Sequence, residues 1–170
     1  RIVDLAEEKF DVAIRISTEP AQNLVARRLA AVNRKIVATP EYFRRHGIPA
    51  APSELALHNC LTYTHFNPKE TWRLRGPDGD IDVPIKGNLR LNDDEALSMA
   101  VLGGLGVALL PTFIIGKDLQ AGALQAVLSQ YVPSERHIHA VYLSNRHVPP
   151  SVRAFIDFFV ARFAPTPYWD

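Results

Sequence analysis

Residues 93–111 read DDEALSMAVLGGLGVALLP, and this stretch constrains the fold more than any other. Three acids open an apolar segment, glycines close it, and an unbroken apolar run follows. Acids are favoured at a helix N-terminus, where unpaired N–H groups and the helix dipole leave partial positive charge. Glycines end helices because they enter left-handed backbone at little cost. A continuous run such as VALLP marks a strand covered on both faces. The stretch therefore predicts a helix capped by Asn92 or Asp93, a sharp return, and a central strand. Ala96, Leu97, Ala100, Val101 and Leu102 are expected to face that sheet.

The same logic extends along the chain. RIVDLAEEKF begins inside a helical pattern, with Ile2, Val3, Leu5 and Ala6 on one stripe and no capping residue before Ile2, so it reads as part of a longer chain. FDVAIRI is a strand with Phe10, Val12, Ile14 and Ile16 on one face. VARRLAAVNRKIVATP holds either a strand pair or one long strand, centred on Val32, Ile36 and Val37. Thr39-Pro40 stops it, and PEYFRRHG is a helix with Pro40 in first position and Gly47 as C-cap. PSELALHN starts a short helix with Ser53 as candidate N-cap. CLTYTHF is a strand. WRLR and IDVPI flank the turn GPDGD as a hairpin, and Pro84 places its second strand at an edge. PTFIIGKDLQAGALQAVLSQY adds a helix and a short extended piece, RHIHAVYLS a strand, and VPPSVRAFIDFFVARF a final amphipathic helix. Strands alternate with helices, which argues for an α/β architecture with helices on both faces of mostly parallel sheets.

Composition and motifs exclude several classes of chemistry. The 170 residues, 47% hydrophobic, suffice for one domain or two small lobes. Lys and Arg number 19 against 18 Asp and Glu, and no basic stripe of the nucleic-acid-binding kind stands out. No run approaches about 18 consecutive apolar residues, so nothing here reads as membrane-spanning. No basic segment followed by an apolar one reads as a leader. Cys60, the single cysteine, excludes an internal disulfide and favours a reducing compartment; in its apolar run it reads as a buried structural thiol. The Arg27-Arg28, Arg34-Lys35 and Arg44-Arg45 pairs read as solvated faces. The GGLG run follows a helix instead of preceding one and lacks a following Lys-Ser/Thr, so it is no nucleotide loop. His137 and His139 share a strand face but lack a third ligand, so no metal is expected. No Gly-x-Ser-x-Gly and no nucleophile with an obvious base occur, so neither catalysis nor a cofactor is expected.

Binding residues remain. In wound sheets, ligands sit outside the carboxyl ends of strands, beside helix N-termini. Asn92 and Asp93 occupy such a place, although capping alone also accounts for them. THFNP follows an apolar strand, and its Thr64, His65 and Phe66 combine a hydroxyl, an imidazole and a ring; an ordinary surface loop is the plain alternative.

Four segments in register, RIVDLAEEKFDVAIRI, VATPEYFRRHG, GNLRLNDDEALSMAVLGGLGVALLP and HVPPSVRAFIDFFVARF, resemble the effector-binding domain of LysR-type transcriptional regulators. The resemblance covers residues 1 to about 163 and is strongest to the branch carrying an Asn-Asp, Glu-Ala-Leu and Ala-Leu-Leu-Pro pattern. It implies two Rossmann-like lobes joined by two crossover strands, as in periplasmic binding proteins. Lobe I holds 1–33 and 137–170, without its first strand and helix, and lobe II holds 34–136. It implies an effector slot lined by Ser17 from lobe I and by Thr64, His65, Phe66, Asn92 and Asp93 from lobe II. It further implies a cytoplasmic, non-enzymatic sensor of a small carboxylate or aromatic metabolite, pairing as a homodimer or homotetramer. Operator DNA would be bound through a winged helix-turn-helix absent from this chain. A free-standing periplasmic-type solute-binding protein is the alternative, and a small enzyme on the same scaffold a weaker one.

Overall fold

The computed structural model describes residues 10–18, 24–64, 71–132, 136–143 and 148–170. The helix expected over Ile2–Ala6 lies outside these residues. Two compact units divide the chain: the first comprises 1–32, 134–168 and 170, the second 33–133 with Trp169.

The chain enters as β1 (Ala13–Ser17) and β2 (Leu24–Val32). After Asn33 it continues at once as β3 (Arg34–Ala38), which belongs to a different sheet. VARRLAAVNRKIVA is thus two strands. Helix α1 (Pro40–His46) follows, with Thr39 Oγ1 accepting from the Tyr42 N–H at 3.1 Å and Gly47 at φ 85° closing it. A 3-10 helix covers Pro52–Leu57. Ser53 does not cap it: Pro52 already holds the first turn, Ala51 stands at the cap position, and the Glu54 carboxylate reaches back to the Ala50 N–H at 2.8 Å.

The second unit continues with β4 (Cys60–Tyr63) and a hairpin of β5 (Thr71–Gly76) and β6 (Gly79–Pro84). Gly76 pairs with Gly79, so the connection is the two residues Pro77 and Asp78, shorter than the expected five-residue turn. Then come β7 (Arg90–Leu91), α2 (Asp94–Leu102), β8 (Val107–Pro111), α3 (Thr112–Gln120) and β9 (Gln125–Val127). Their five-stranded sheet runs β7-β4-β8-β3-β9. The chain returns through β10 (Arg136–Leu143) to α4 (Pro150–Phe163), and the first unit's sheet runs β1-β10-β2.

The α/β class holds, but the expectation of mostly parallel sheets does not. β4 is parallel to β7 and β8, whereas β3 is antiparallel to β8 and β9. The first unit's sheet is antiparallel throughout. Parallel neighbours need a crossover of a dozen residues or more. β2 carries the chain out of the first unit and β10 carries it back, so these neighbours oppose one another. β3 follows β2 directly, with no helix to turn it.

Burial explains the second unit's cohesion. β8 alternates its side chains between two cores. Val107 joins Ile36, Tyr42, Phe43, Leu55, Cys60, Trp72 and Leu74 beneath α1 and the hairpin. Ala108 and Leu110 join Leu97, Val101 and Ile115 beneath α2 and α3. Burying Leu97 and Val101 is worth roughly 1.5–3 kcal/mol each. Leu102, expected to face the sheet, is 36% exposed at the frayed last turn, and Ser98 is buried. Ile14 and Ile16 do share a face of β1, yet that face is open: they are 46% and 45% exposed. Trp169 lies edge-on to Phe113, with ring centroids 6.3 Å apart. Gly116 makes room for it, because a Cβ there would strike the Trp169 carbonyl.

The tightest contact in the second unit surrounds Asn59 and Cys60. A Cβ on Gly87 would collide with the Cys60 carbonyl, and one on Gly106 with the Asn59 carbonyl. Gly106→Ala should cost about 1–3 kcal/mol, the range for forcing atoms into packed space, read as a lower urea midpoint. A midpoint equal to wild type would show that the two loops part freely. His58, 7% exposed, lies beside Tyr42 and Phe43, and its Nδ1 has no hydrogen-bond partner among the described residues. Burial, then the neighbouring His46, hold its pKa below the ordinary histidine value, with Glu54 opposing. The unfolded chain therefore takes up this proton first as pH falls below about 6.5. Stability present above that pH is lost on acidification through the folded value. His58→Gln should flatten the fall in stability between neutral and mildly acidic buffer; an unchanged slope would assign the fall to other groups.

Candidate functional site

The parallel ladder β7-β4-β8 brings three strand carboxyl ends to one edge of the second unit. Tyr63 pairs with Leu91, and the ladder runs one residue further: the Thr64 N–H donates to the Leu91 carbonyl at 2.8 Å. The Thr64 hydroxyl donates to the same oxygen at 3.1 Å, which leaves its own lone pairs outward. Asn92 follows Leu91 directly and is exposed, as is Asp93. Thr64 therefore meets Asn92 and Asp93, which lie 28 and 29 positions further along the chain, at this edge. His65 and Phe66 lie outside the described residues.

Asp93, not Asn92, is the helix cap. Its Oδ1 accepts from the Ala96 N–H at 2.7 Å in extended backbone. The Asn92 side chain is therefore not needed for the α2 cap, and one carboxylate oxygen of Asp93 is not used by it. Asp94 is half-buried, and its carboxyl is pushed above the ordinary range first by burial and then by the charge of Asp93. Arg34 opposes that rise. The antiparallel register explains its presence: Arg34 begins β3 opposite Pro111 at the end of β8. Thr112 opens α3 at the same edge, its N–H donating to the Asn33 carbonyl at 2.9 Å and its hydroxyl at 3.3 Å.

Sequence reasoning missed Arg34 and Thr112. Arg34 was expected on a solvated face, because nothing in RK announces which strand lies opposite. Thr112 did leave a signal, since a hydroxyl directly after VALLP stands where a strand end becomes a helix start. Ser17 ends β1 in the first unit, half-buried, with its Oγ 3.3 Å from His139 Nδ1.

Cys60 is fully buried and its thiol donates to the Leu55 carbonyl at 3.4 Å. Burial pushes its pKa up to about 12, so the nucleophilic thiolate is scarce. Among the described residues, no group of three or more His, Cys, Asp or Glu could hold a metal, and no helix is long and apolar enough to cross a membrane. What the edge offers is a set of hydrogen-bonding groups outside strand ends, suited to orienting a small ligand.

Comparison with known proteins agrees. The LysR substrate binding domain family matches residues 1–164. An HTH-type transcriptional regulator of Xanthomonas campestris is 34% identical over 164 residues, which are 94% of this chain and 48% of the relative. The HTH-type transcriptional regulator CrgA of Neisseria meningitidis is 32% identical over 159 residues, 93% of this chain and 53% of the relative. The chain thus spans about half the length of these curated relatives. The solved regulatory domain of CrgA, a LysR-type transcriptional regulator, superposes with a TM-score of 0.78 at 31% identity, covering 92% of this chain and 76% of that one. Full-length AphB, a virulence activator of Vibrio cholerae, gives 0.80 at 30% identity, covering 95% and 55%. The strand-end site, the two α/β units and these likenesses together place the chain in the LysR family, as its substrate-binding, that is effector-binding, domain.

Proposed function

We propose that this domain senses a small carboxylate or aromatic metabolite for a LysR-type regulator of transcription, binding it without turnover. Thr64, Asn92 and Asp93, with His65 and Phe66, form the contribution of lobe II (34–136), and Ser17 that of lobe I (1–33 and 137–170). One observation carries this reading: three strand carboxyl ends and two helix starts converge on Thr64, Asn92 and Asp93. Operator DNA is bound by a winged helix-turn-helix elsewhere in the protein, which works in the cytoplasm as a homodimer or homotetramer. The relatives are HTH-type regulators, which favours this over a free-standing solute-binding protein. An effector can bias the regulator only by its differential affinity for two states.

A thermal-shift screen of small acids and aromatic metabolites tests the reading. A ligand that binds only the folded state at a hundred times its Kd adds about 2.7 kcal/mol. Asn92→Ala should remove most of a hit's shift while leaving the free domain's Tm near wild type. Equal losses of Tm and of ligand shift would make Asn92 structural. Asp93 performs two tasks that substitution separates. Asp93→Ala should cost about 1 kcal/mol through the lost cap, and Asp93→Ser should restore most of it. A Ser variant with restored stability and normal ligand response would remove Asp93 from the site.

A further inference from the structure

Two imidazoles come to one phenol ring at the corner where α1 gives way to the 3-10 helix of Pro52–Leu57. Gly47 ends α1 at φ 85°, and Pro49 and Pro52 forbid its continuation, so the chain returns His58 against α1. The exposed His46 stacks on Tyr42, with ring centroids 4.3 Å apart, and its Nδ1 donates to the Tyr42 carbonyl at 3.0 Å. His58 lies 5.8 Å from the same Tyr42 ring and edge-on to Phe43 at 6.4 Å.

A proton acts differently on the two rings. His46 takes one at Nε2 and keeps its bond to the carbonyl. An imidazolium carries two N–H donors. At His58 the Nδ1 donor would be sealed in, with no acceptor among the described residues, a costly place for a charged donor. The charge of His46 opposes one on His58, and Glu54 favours it. The Glu54 carboxylate is already engaged by the Ala50 N–H. On α1, Glu41 pairs with Arg44 and Arg45. β6, packed on the 3-10 helix, carries Asp80 and Asp82 at exposed positions, and Arg73 and Arg75 hold Asp80. Lys86 is exposed, and Cys60 stays a neutral thiol, its pKa pushed up to about 12. Protonation therefore requires His58 to leave its seat.

That movement cannot stay local. The His58 N–H closes the 3-10 helix by donating to the Leu55 carbonyl at 3.1 Å. The next N–H, of Asn59, donates to the hydroxyl of Tyr42, the ring beside His58, at 3.1 Å. The Asn59 side chain holds Asn88 and the Leu105 carbonyl. From there the N–H groups of Cys60, Thr62 and Thr64 donate in turn to the Lys86, Leu89 and Leu91 carbonyls. We propose that the His46–Tyr42–His58 corner is a proton-operated latch on β4. It is closed while His58 is neutral and released when His58 is protonated, so that acid loosens Asn59 and, along the ladder, the Thr64 end of the candidate site. The proton favours the released form, so the closed form is lost as pH falls below about 6.5. That Thr64 serves an effector rests on the proposed function; the latch is read without an effector, so either can fail alone.

Amide hydrogen exchange, corrected for intrinsic rates, tests this by NMR on the domain and by mass spectrometry on the full-length regulator. Between about pH 7.5 and about pH 5.5, protection of the Asn59 and Thr64 N–H groups should fall in step with titration of the His58 ring. A release that takes up one proton grows by at most about tenfold per pH unit. Ile36, in the centre of the same sheet, should keep its protection. His58→Gln should abolish the pH dependence. His46→Gln, at an exposed position that should fold normally, should shrink it, because the charge opposing His58 is gone. Asn59 protection that holds at the lower pH, an equal loss at Ile36, or an undiminished fall in these variants would overturn the proposal.

Discussion

The second unit depends on one close backbone approach, at Asn59 and Cys60. Gly87 and Gly106 come so near that neither can carry a side chain there without displacement. The Asn59 amide then ties the loops together. Its Nδ2 donates to Asn88 Oδ1 at 2.9 Å and to the Leu105 carbonyl at 2.7 Å, while its Oδ1 accepts from the Asn88 N–H at 3.0 Å. Its own N–H donates to the Tyr42 hydroxyl at 3.1 Å. From this clamp the Lys86, Leu89 and Leu91 carbonyls accept in turn from the N–H groups of Cys60, Thr62 and Thr64. The amino end of β4 thereby fixes the register with which its carboxyl end meets β7, and so where Thr64 sits against Asn92.

The two ends of this sheet divide the labour. The clamped end is held by glycine close approach and by the hydrogen bonds of one amide. The opposite end carries Arg34, Asp93 and Asp94, with Asn92 and the hydroxyl of Thr64. Such a separation suits a binding protein, since preorganised donors and acceptors lower the ordering cost of capturing a ligand. Asp93 lies at that opposite end. Its cap holds the start of α2 in place, which in turn holds Asn92.

Histidine plays a parallel part in each unit. His58 lies beside aromatic rings in the second unit, and His139 beside His137, Arg28 and Ser17 in the first. Both are held toward the neutral form chiefly by burial. The physical consequence differs. Burial and His46 outweigh Glu54 at His58, so acid costs stability there. At His139 the charges of His137 and Arg28 add to the burial that disfavours the proton.

Much of this was legible in one dimension. The stop at Thr39-Pro40, the turn at Gly47 and the helix-glycine-strand step over 93–111 all follow from local backbone chemistry, which acts between residues a few positions apart. The apolar periodicity likewise marked β8 as a two-sided strand, and Cys60 as buried. Register and direction were not legible, because hydrogen bonding between strands pairs residues that the sequence holds far apart. Only the tertiary structure decided that β3 runs against β8, which brings Arg34 to the edge where Asp94 lies. It alone matched Arg15 and Arg28 across His139, and it alone chose Asp93 over Asn92 as the cap. Local rules determine which elements form; long-range pairing, with its own steric and electrostatic demands, determines which side chains meet.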